Sequence, residues 1–348
     1  MNARLHCILL LTIAATSCVK STSGDPAIRD ELVFSAVASH SVKSIITTTN
    51  YPLNEPFAVE AVHYPAGVAS AEGVSFITGE KVEYDFGKKL WTAHDKYYWP
   101  RKGELLFYAG SPIIPQVSVS PEKGVEADWS IPTEDDTQTD LCFARVLENC
   151  ESHSSAVPIV FRHALSQICF KARTTKHYSY SRTSDNIVQA NVITVVLDSV
   201  KIHGIVSEGH FVQEPSGWTK DSTVTADYTV FSSKKGLELG CDRYDNPVIT
   251  QLNTMLLIPQ AVRKKATLEE WHHIVVRTTQ TDTDTGEIIE DITYTIPKNK
   301  VLSLSNYCKE WQMDIKYTFR ISVGMDDTDI ATAVTDWIET KEIILGDE

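Results

Sequence analysis

Met313, Ile315, Tyr317, Phe319, Ile321 and Val323 alternate with Asp314, Lys316, Thr318, Arg320 and Ser322. Period two is the repeat of an extended chain, because successive side chains of a strand point to opposite faces. Wound on a 3.6-residue helix, the same six apolar groups would scatter around the circumference and bury nothing together. The stretch is therefore a strand with one face on a core and one in water. Val82, Tyr84 and Phe86 alternate with Lys81, Glu83 and Asp85 in the same way. Nearer the start, Val33, Ser35 and Val37 face one way and Phe34, Ala36 and Ala38 the other, which suits a strand buried on both faces. Short apolar runs at 105–109 and 157–161, and a β-branched stretch at 191–202 long enough for two strands, add to the pattern. Pro, Gly, Asn and Asp punctuate these runs as turns do. Helical spacing is confined to single turns at 267–273 and 305–311. The expectation is an all-β chain of sandwich type.

A chain of 348 residues is long enough for two cores, at about 100–200 residues per domain. The acidic, apolar-poor stretch 132–140 reads as a loop, and a second polar break at 148–156 is the natural division. It separates an N-terminal domain, 31–152, from a C-terminal one, 153–348. With 42% hydrophobic residues the chain is not disordered throughout. Its 46 acidic against 32 basic side chains, with no Lys/Arg run, argue against a nucleic-acid partner, since phosphate contact needs clustered positive charge. The acidity by itself names no partner.

Residues 1–17 have the three parts of a secretory signal: Arg4, the apolar run 8–13, and the small residues Ala14, Ala15, Thr16 and Ser17. The apolar run is too short to span a bilayer core of about 30 Å. Ala15-Thr16-Ser17-Cys18 resembles a bacterial lipobox, with Ala15 where Leu is usual. That resemblance implies a lipidated Cys18, an outer-membrane anchor of palmitate-type acyl chains, and a polar tether over 18–30. Of the seven cysteines, Cys142, Cys150, Cys169, Cys241 and Cys308 then remain. No CxxC pair is present, so they read as buried thiols, with a Cys142–Cys150 bridge left open.

Enzyme signatures fail. G-x-S-x-G, H-E-x-x-H, G-x-x-x-x-G-K-[ST] and G-x-G-x-x-G are all missing. Asp282-Thr283-Asp284-Thr285-Gly286-Glu287 looks like a calcium loop, but with Gly286 at loop position six, positions one, three and five are Thr281, Thr283 and Thr285. A hairpin turn is expected there instead. Trp271-His272-His273 is the densest histidine cluster; neighbours on a strand point apart, so the pair cannot chelate one metal, and a surface or edge role follows. His163 and His177 stand isolated. No catalytic residue, metal-ligand set or cofactor is legible. Trp91, Trp129 and Trp218 suggest a second reading, a glycan- or protein-binding surface lipoprotein, because Trp faces stack on sugars.

Several landmarks recur in order: Tyr97-Tyr98-Trp99-Pro100, the 105–112 run, Asp140-Leu141-Cys142-Phe143-Ala144, the 157–168 stretch, Leu256-Leu257-Ile258-Pro259-Gln260, Tyr317-Thr318-Phe319 and Val334-Thr335-Asp336-Trp337. Together they resemble the fimbrillin (Mfa-like) lipoproteins of Bacteroidales. The resemblance implies two tandem transthyretin-like β-sandwich domains and a fimbrial shaft, tip or anchor subunit on the outer membrane or in a fimbrium, supporting adhesion to a host or bacterial surface ligand. In that family a protease removes an N-terminal strand, and a strand from another fimbrial subunit fills the groove. Carried to this chain, cleavage at Arg29 would free only the tether. Lys43 is the basic residue placed to release the 32–38 strand, although an arginine-specific protease does not cut there. Either a different protease acts at Lys43, or the strand is retained and the protein stays a lipid-held anchor or terminal subunit. Ile343, Ile344 and Leu345 form the candidate donor strand. N-terminal sequencing of the mature surface form separates the two: a start at Ser44 marks strand release, and a lipidated Cys18 in the assembled form excludes it.

Overall fold

The computed structural model describes residues 30–38, 51–67, 72–134, 137–176, 178–215, 217–325 and 328–336. Among these there is no α-helix; a 3-10 turn at Leu304–Asn306 interrupts an otherwise all-β chain. The first strands are β1 (Phe34–Ala38), β2 (Phe57–Tyr64), β3 (Val74–Asp85), β4 (Leu90–Ala93) and β5 (Glu104–Ser111). After them come β6 (Val117–Ser120), β7 (Gly124–Ser130), β8 (Cys142–Asn149) and β9 (Val157–His163). Seven of these close on themselves in the order β1-β4-β3-β2-β5-β8-β9, with β9 returning parallel to β1. Two joints of the ring are narrow: β4 meets β1 at Phe34↔Trp91, and β8 meets β9 at Cys142↔His163 and Phe143↔Arg162. The ring is thus two facing sheets joined at two corners. The polar break at 148–156 is the connection from β8 to β9.

Inside the ring, Phe34, Phe57, Val59, Phe107, Ile159 and Phe161 are fully buried, with Trp91 and Trp99 nearly so. The rings meet edge to face, as aromatic quadrupoles favour: Phe34 on Phe57 at 6.4 Å and on Phe107 at 6.1 Å.

The later strands are β10 (Ser166–Thr174), β11 (Tyr178–Ser184), β12 (Ile187–Val206), β13 (Glu208–Val212), β14 (Gly217–Thr219) and β15 (Thr225–Leu239). They continue with β16 (Thr250–Leu257), β17 (Gln260–Ala261), β18 (Thr267–Asp282), β19 (Ile288–Ser303), β20 (Glu310–Trp311), β21 (Ile315–Val323) and β22 (Thr328–Asp336). One sheet runs β16-β10-β21-β22 and another β11-β12-β18-β19, with β15 also on β12. Between them lies the larger core, including Phe170, Leu197, Met255, Leu268, Trp311 and Phe319. In β21, Tyr317, Phe319, Ile321 and Val323 are buried while their neighbours are not, as the alternation requires. The β-branched stretch forms part of one strand, β12, twenty residues long. It stays paired by absorbing irregularity in β15, where residues 233–236 bulge opposite Asp198. The bulge needs Gly236 at φ +74, and a Cβ there would lie 2.2 Å from Val196 Cγ1.

Several local expectations change. The stretch at 267–273 is no helical turn but the start of β18, held between β12 and β19. Its inward row is Leu268, Glu270, His272 and Ile274, and the two titratable members hide the alternation. His272 is therefore buried, its Nδ1 2.5 Å from Glu270 Oε1, rather than at the surface, while Trp271 is exposed. Of the 305–311 turn, only the 3-10 segment forms, and the chain then extends into β20. The 282–287 segment is the expected hairpin turn, with Asp282 Oδ1 accepting the amides of Asp284 and Thr285. Cys142 and Cys150 are both free. Cys142 opens the eight-residue β8 and Cys150 follows its end, so at about 3.4 Å per residue the extended strand holds them roughly 25 Å apart, far beyond disulfide reach.

The two cores are tied together. β6 and β7 lie outside the ring in a sheet of order β14-β13-β7-β6, where β7 pairs with β13 and carries Val125, Ala127 and Trp129 into the larger core. Buried Gln213 of the segment after β13 accepts the Val125 amide at 3.0 Å and donates to the Ala144 carbonyl of β8 at 3.2 Å. Gln213→Met keeps the volume but strands both backbone groups. Urea denaturation should show a loss of about 2–4 kcal/mol, since each buried unsatisfied group costs about 1–3.

Candidate functional site

Among the described residues, the feature that fits the strand-exchange expectation is β1 and the groove it fills. Leu32, Phe34 and Ala36 point inward and are buried, whereas Val33, Ser35 and Val37 are partly exposed. The strand is therefore covered on one face, not on both as its composition suggested. On one edge it runs parallel to β9 over its whole length, from Phe34↔Val157 to Ala38↔Phe161. The Val157 amide extends that ladder by donating to the Val33 carbonyl at 2.8 Å. The opposite edge is held mainly at its start. The Leu32 amide donates to the Tyr97 carbonyl at 2.8 Å, the Trp99 amide to the Asp30 carbonyl at 3.2 Å, and β4 is met at Trp91.

Buried aromatics wall the groove. Phe57 and Phe107 contact Phe34, and Trp99 packs on Phe107 at 6.3 Å and stacks on the His153 ring at 3.9 Å. Tyr51, the first described residue after β1, stacks on Phe161 at 4.6 Å and donates from its hydroxyl to Ser111 Oγ at 2.6 Å. Burial pushes the Tyr51 hydroxyl far above its ordinary value, so it stays a neutral donor. Tyr51 thus pins the chain on the downstream side of the connection that contains Lys43. Tyr97, which supplies the carbonyl for Leu32, donates its hydroxyl to Glu80 Oε1 at 3.0 Å; burial and that bond push it up to about 12.

Displacing β1 uncovers Leu32 and Phe34, each worth about 1.5–3 kcal/mol when fully buried, along with the β9 ladder. Against a typical stability of about 5–15 kcal/mol, an empty groove would leave the ring marginal. A replacement strand with apolar groups at period two would restore both terms.

Cys18, Arg29, Lys43, Ile343, Ile344 and Leu345 lie outside the described residues, as does His177. The tryptophans singled out for sugar stacking form no platform. Trp91 and Trp129 are buried, and Trp218 is half-buried, packed on Phe211 with its indole N–H donating to the Ala164 carbonyl at 2.7 Å. His163 is not isolated: it hydrogen-bonds Asp140, and its amide donates to Asp314 Oδ1 at 3.3 Å. Sequence reasoning also missed Gln260, which accepts the Val206 amide at 2.9 Å and donates back to the Val206 carbonyl at 3.1 Å, clamping the end of β12. The signal was the Gln closing an apolar run, 256–260.

A model of the fimbrillin-like family matches residues 47–337. Among solved structures, a fimbrial protein from Bacteroides vulgatus ATCC 8482 has a TM-score of 0.60 at 16% identity, covering 88% of this chain and 99% of that one. At that identity it shows the fold alone. Cell-adhesion candidates from Bacteroides uniformis ATCC 8492 and Bacteroides ovatus ATCC 8483 match at 13% and 15% identity, with TM-scores of 0.49 and 0.47. Their matches cover 88% and 90% of this chain and 99% of each of theirs. No curated protein matches the sequence.

Phe34 is the main inward anchor of β1. Phe34→Ala should cost about 3–5 kcal/mol in chemical denaturation, as for other buried large-to-small changes. Val37→Ala, on the partly exposed row, should cost markedly less.

Proposed function

Because the chain belongs to the fimbrillin-like family, we propose that it is a cell-surface fimbrial subunit, or an accessory tip or anchor subunit, that assembles by exchange of its first strand and supports adhesion. The observation that carries this reading is β1 itself. It is the first described strand, its far edge is bonded mainly at its start, and it fills an aromatic-walled groove that any strand with the same alternation could fill. Lys43 is the only Lys or Arg between Arg29 and Lys81, so one cut there severs β1 from a chain still anchored at Tyr51. A cut at Arg29 removes nothing from the groove. Cys18 carries the lipid that holds the uncut form at the outer membrane. As an extended donor strand, this segment would carry Ile343 and Leu345 on one face and Ile344 on the other. A subunit that is never cut stays lipid-held, at the base or end of a fibre.

Tryptophan burial leaves the sugar-stacking reading without its platform, and the family is a structural one. Purified chain treated with a lysine-specific protease tests the assembly reading. Cleavage at Lys43 should yield oligomers that run as a ladder on unboiled gels, and Lys43→Gln should abolish the ladder. Leu345→Asp should weaken it by placing a charge in an apolar groove. A trimmed chain that stays monomeric at every concentration overturns strand exchange.

A further inference from the structure

Asp140, Cys142 and His163 meet at the corner where β8 begins and β9 ends. Cys142 and His163 are cross-strand partners, and Asp140 precedes β8 on the same side. Cys142 Sγ lies 3.5 Å from Asp140 Oδ2 and 3.7 Å from His163 Nδ1, and those two atoms are hydrogen-bonded to each other. Cys142 and His163 are almost wholly buried, while the Asp140 side chain keeps 21% of its surface and so opens the cluster to solvent. One atom is unaccounted for: Asp140 Oδ1 is buried without a hydrogen-bond partner. A buried carboxylate oxygen left unpaired is costly, and it points to something that engages it.

Thiol, imidazole and carboxylate are the donor set of zinc, held at about 2.3 Å from sulfur and about 2.0–2.2 Å from nitrogen or oxygen. Ligands at those distances on a tetrahedron stand roughly 3.4–3.6 Å apart, close to both sulfur edges of this cluster. The third edge is closed by the imidazole–carboxylate hydrogen bond, which an ion would replace. Asp140 sits in the loop ahead of β8, where it can give way, whereas His163 and Cys142 are fixed by their strands.

We propose that Asp140, Cys142 and His163 form a binding site for a thiophilic divalent cation, zinc or an ion of similar chemistry. Binding takes the thiolate of Cys142, Nδ1 of His163 and both oxygens of Asp140, which uses the orphaned Oδ1. The thiol proton leaves to solvent, and the imidazole binds in its neutral form with its one proton on Nε2 instead of Nδ1. Calcium and magnesium are disfavoured, since they take oxygen ligands and the site offers sulfur and nitrogen. An ion here would staple β8 to β9 at their two-pair joint, beside the contact of His163 with Asp314 ahead of β21. The proposal does not depend on strand exchange.

Full-length chain, stripped with chelator, is titrated with cobalt(II) and then zinc. Wild type should take up one cobalt per chain at this site with a sulfur-to-cobalt charge-transfer band, zinc should displace it, and zinc should raise the unfolding temperature. Cys142→Ser should fold with an unchanged circular dichroism spectrum, lose the band and lose the zinc-dependent stabilisation. Asp140→Asn should weaken zinc binding by at least about tenfold. A folded wild type with no charge-transfer band, or one that binds both metals no better than Cys142→Ser, overturns the site and leaves a buried hydrogen-bonded trio.

Discussion

The parallel pairing of β1 with β9 is the contact on which the rest of the structure turns. Parallel strands cannot be joined by a tight hairpin, so the first strand must wait for a partner from far along the chain, Phe34 for Val157. The larger core repeats the arrangement, with Gln167 of β10 opposite Lys316 of β21. β9 and β10 are separated by Ala164 and Leu165 alone, so the two long-range ladders lie next to each other in sequence. Each closes a large loop, a cost in chain entropy that dense burial must offset. In the ring, the aromatic set around Phe34 supplies that burial. It follows that the strand whose pairing completes the ring is also the one least tied to its neighbours in sequence.

Buried glutamines add polar ties to the apolar ones within and between the two cores. Gln213 bridges β7 and β8, Gln260 holds the end of β12, and Gln138 accepts the Leu256 amide at 2.9 Å while donating to the Pro132 carbonyl at 3.1 Å. Each glutamine satisfies backbone groups that no ladder reaches, which a buried strand end requires. The Asp140–His163 contact sits among them, where Leu141 and Phe143 enter the larger core and Cys142 the ring.

Legibility followed burial pattern. β21 could be read from its residues because all of its inward positions are apolar, and β3 in part: Val82 is buried and Tyr84 half-buried as the alternation requires, whereas Phe86 falls in the turn after β3 and is exposed. β18 could not, because Glu270 and His272 occupy inward positions, paired with each other, and Glu270 also accepts the Thr328 hydroxyl. β1 was legible as a strand but not as a one-sided one, since Val33 and Val37 are apolar yet partly exposed. Within the candidate site, the aromatic walls were visible as residues without any sign that they share one groove. His163 looked isolated for the same reason: its contact with Asp140 spans the β8–β9 connection, and cross-strand register is set by which faces must be buried together.

By itself the sequence determined the class of the fold and its punctuation, because period-two alternation and turn residues act locally through backbone geometry. Only the tertiary structure decided which strands are neighbours. It made β1 the partner of β9, buried Trp91 and Trp129, separated Cys142 from Cys150 along one extended strand, and brought Asp140, Cys142 and His163 to one corner. The reason is physical: alternation says which face of a strand is apolar, but many partners could cover that face. The choice among them rests on long-range packing and on satisfying every buried backbone group at once.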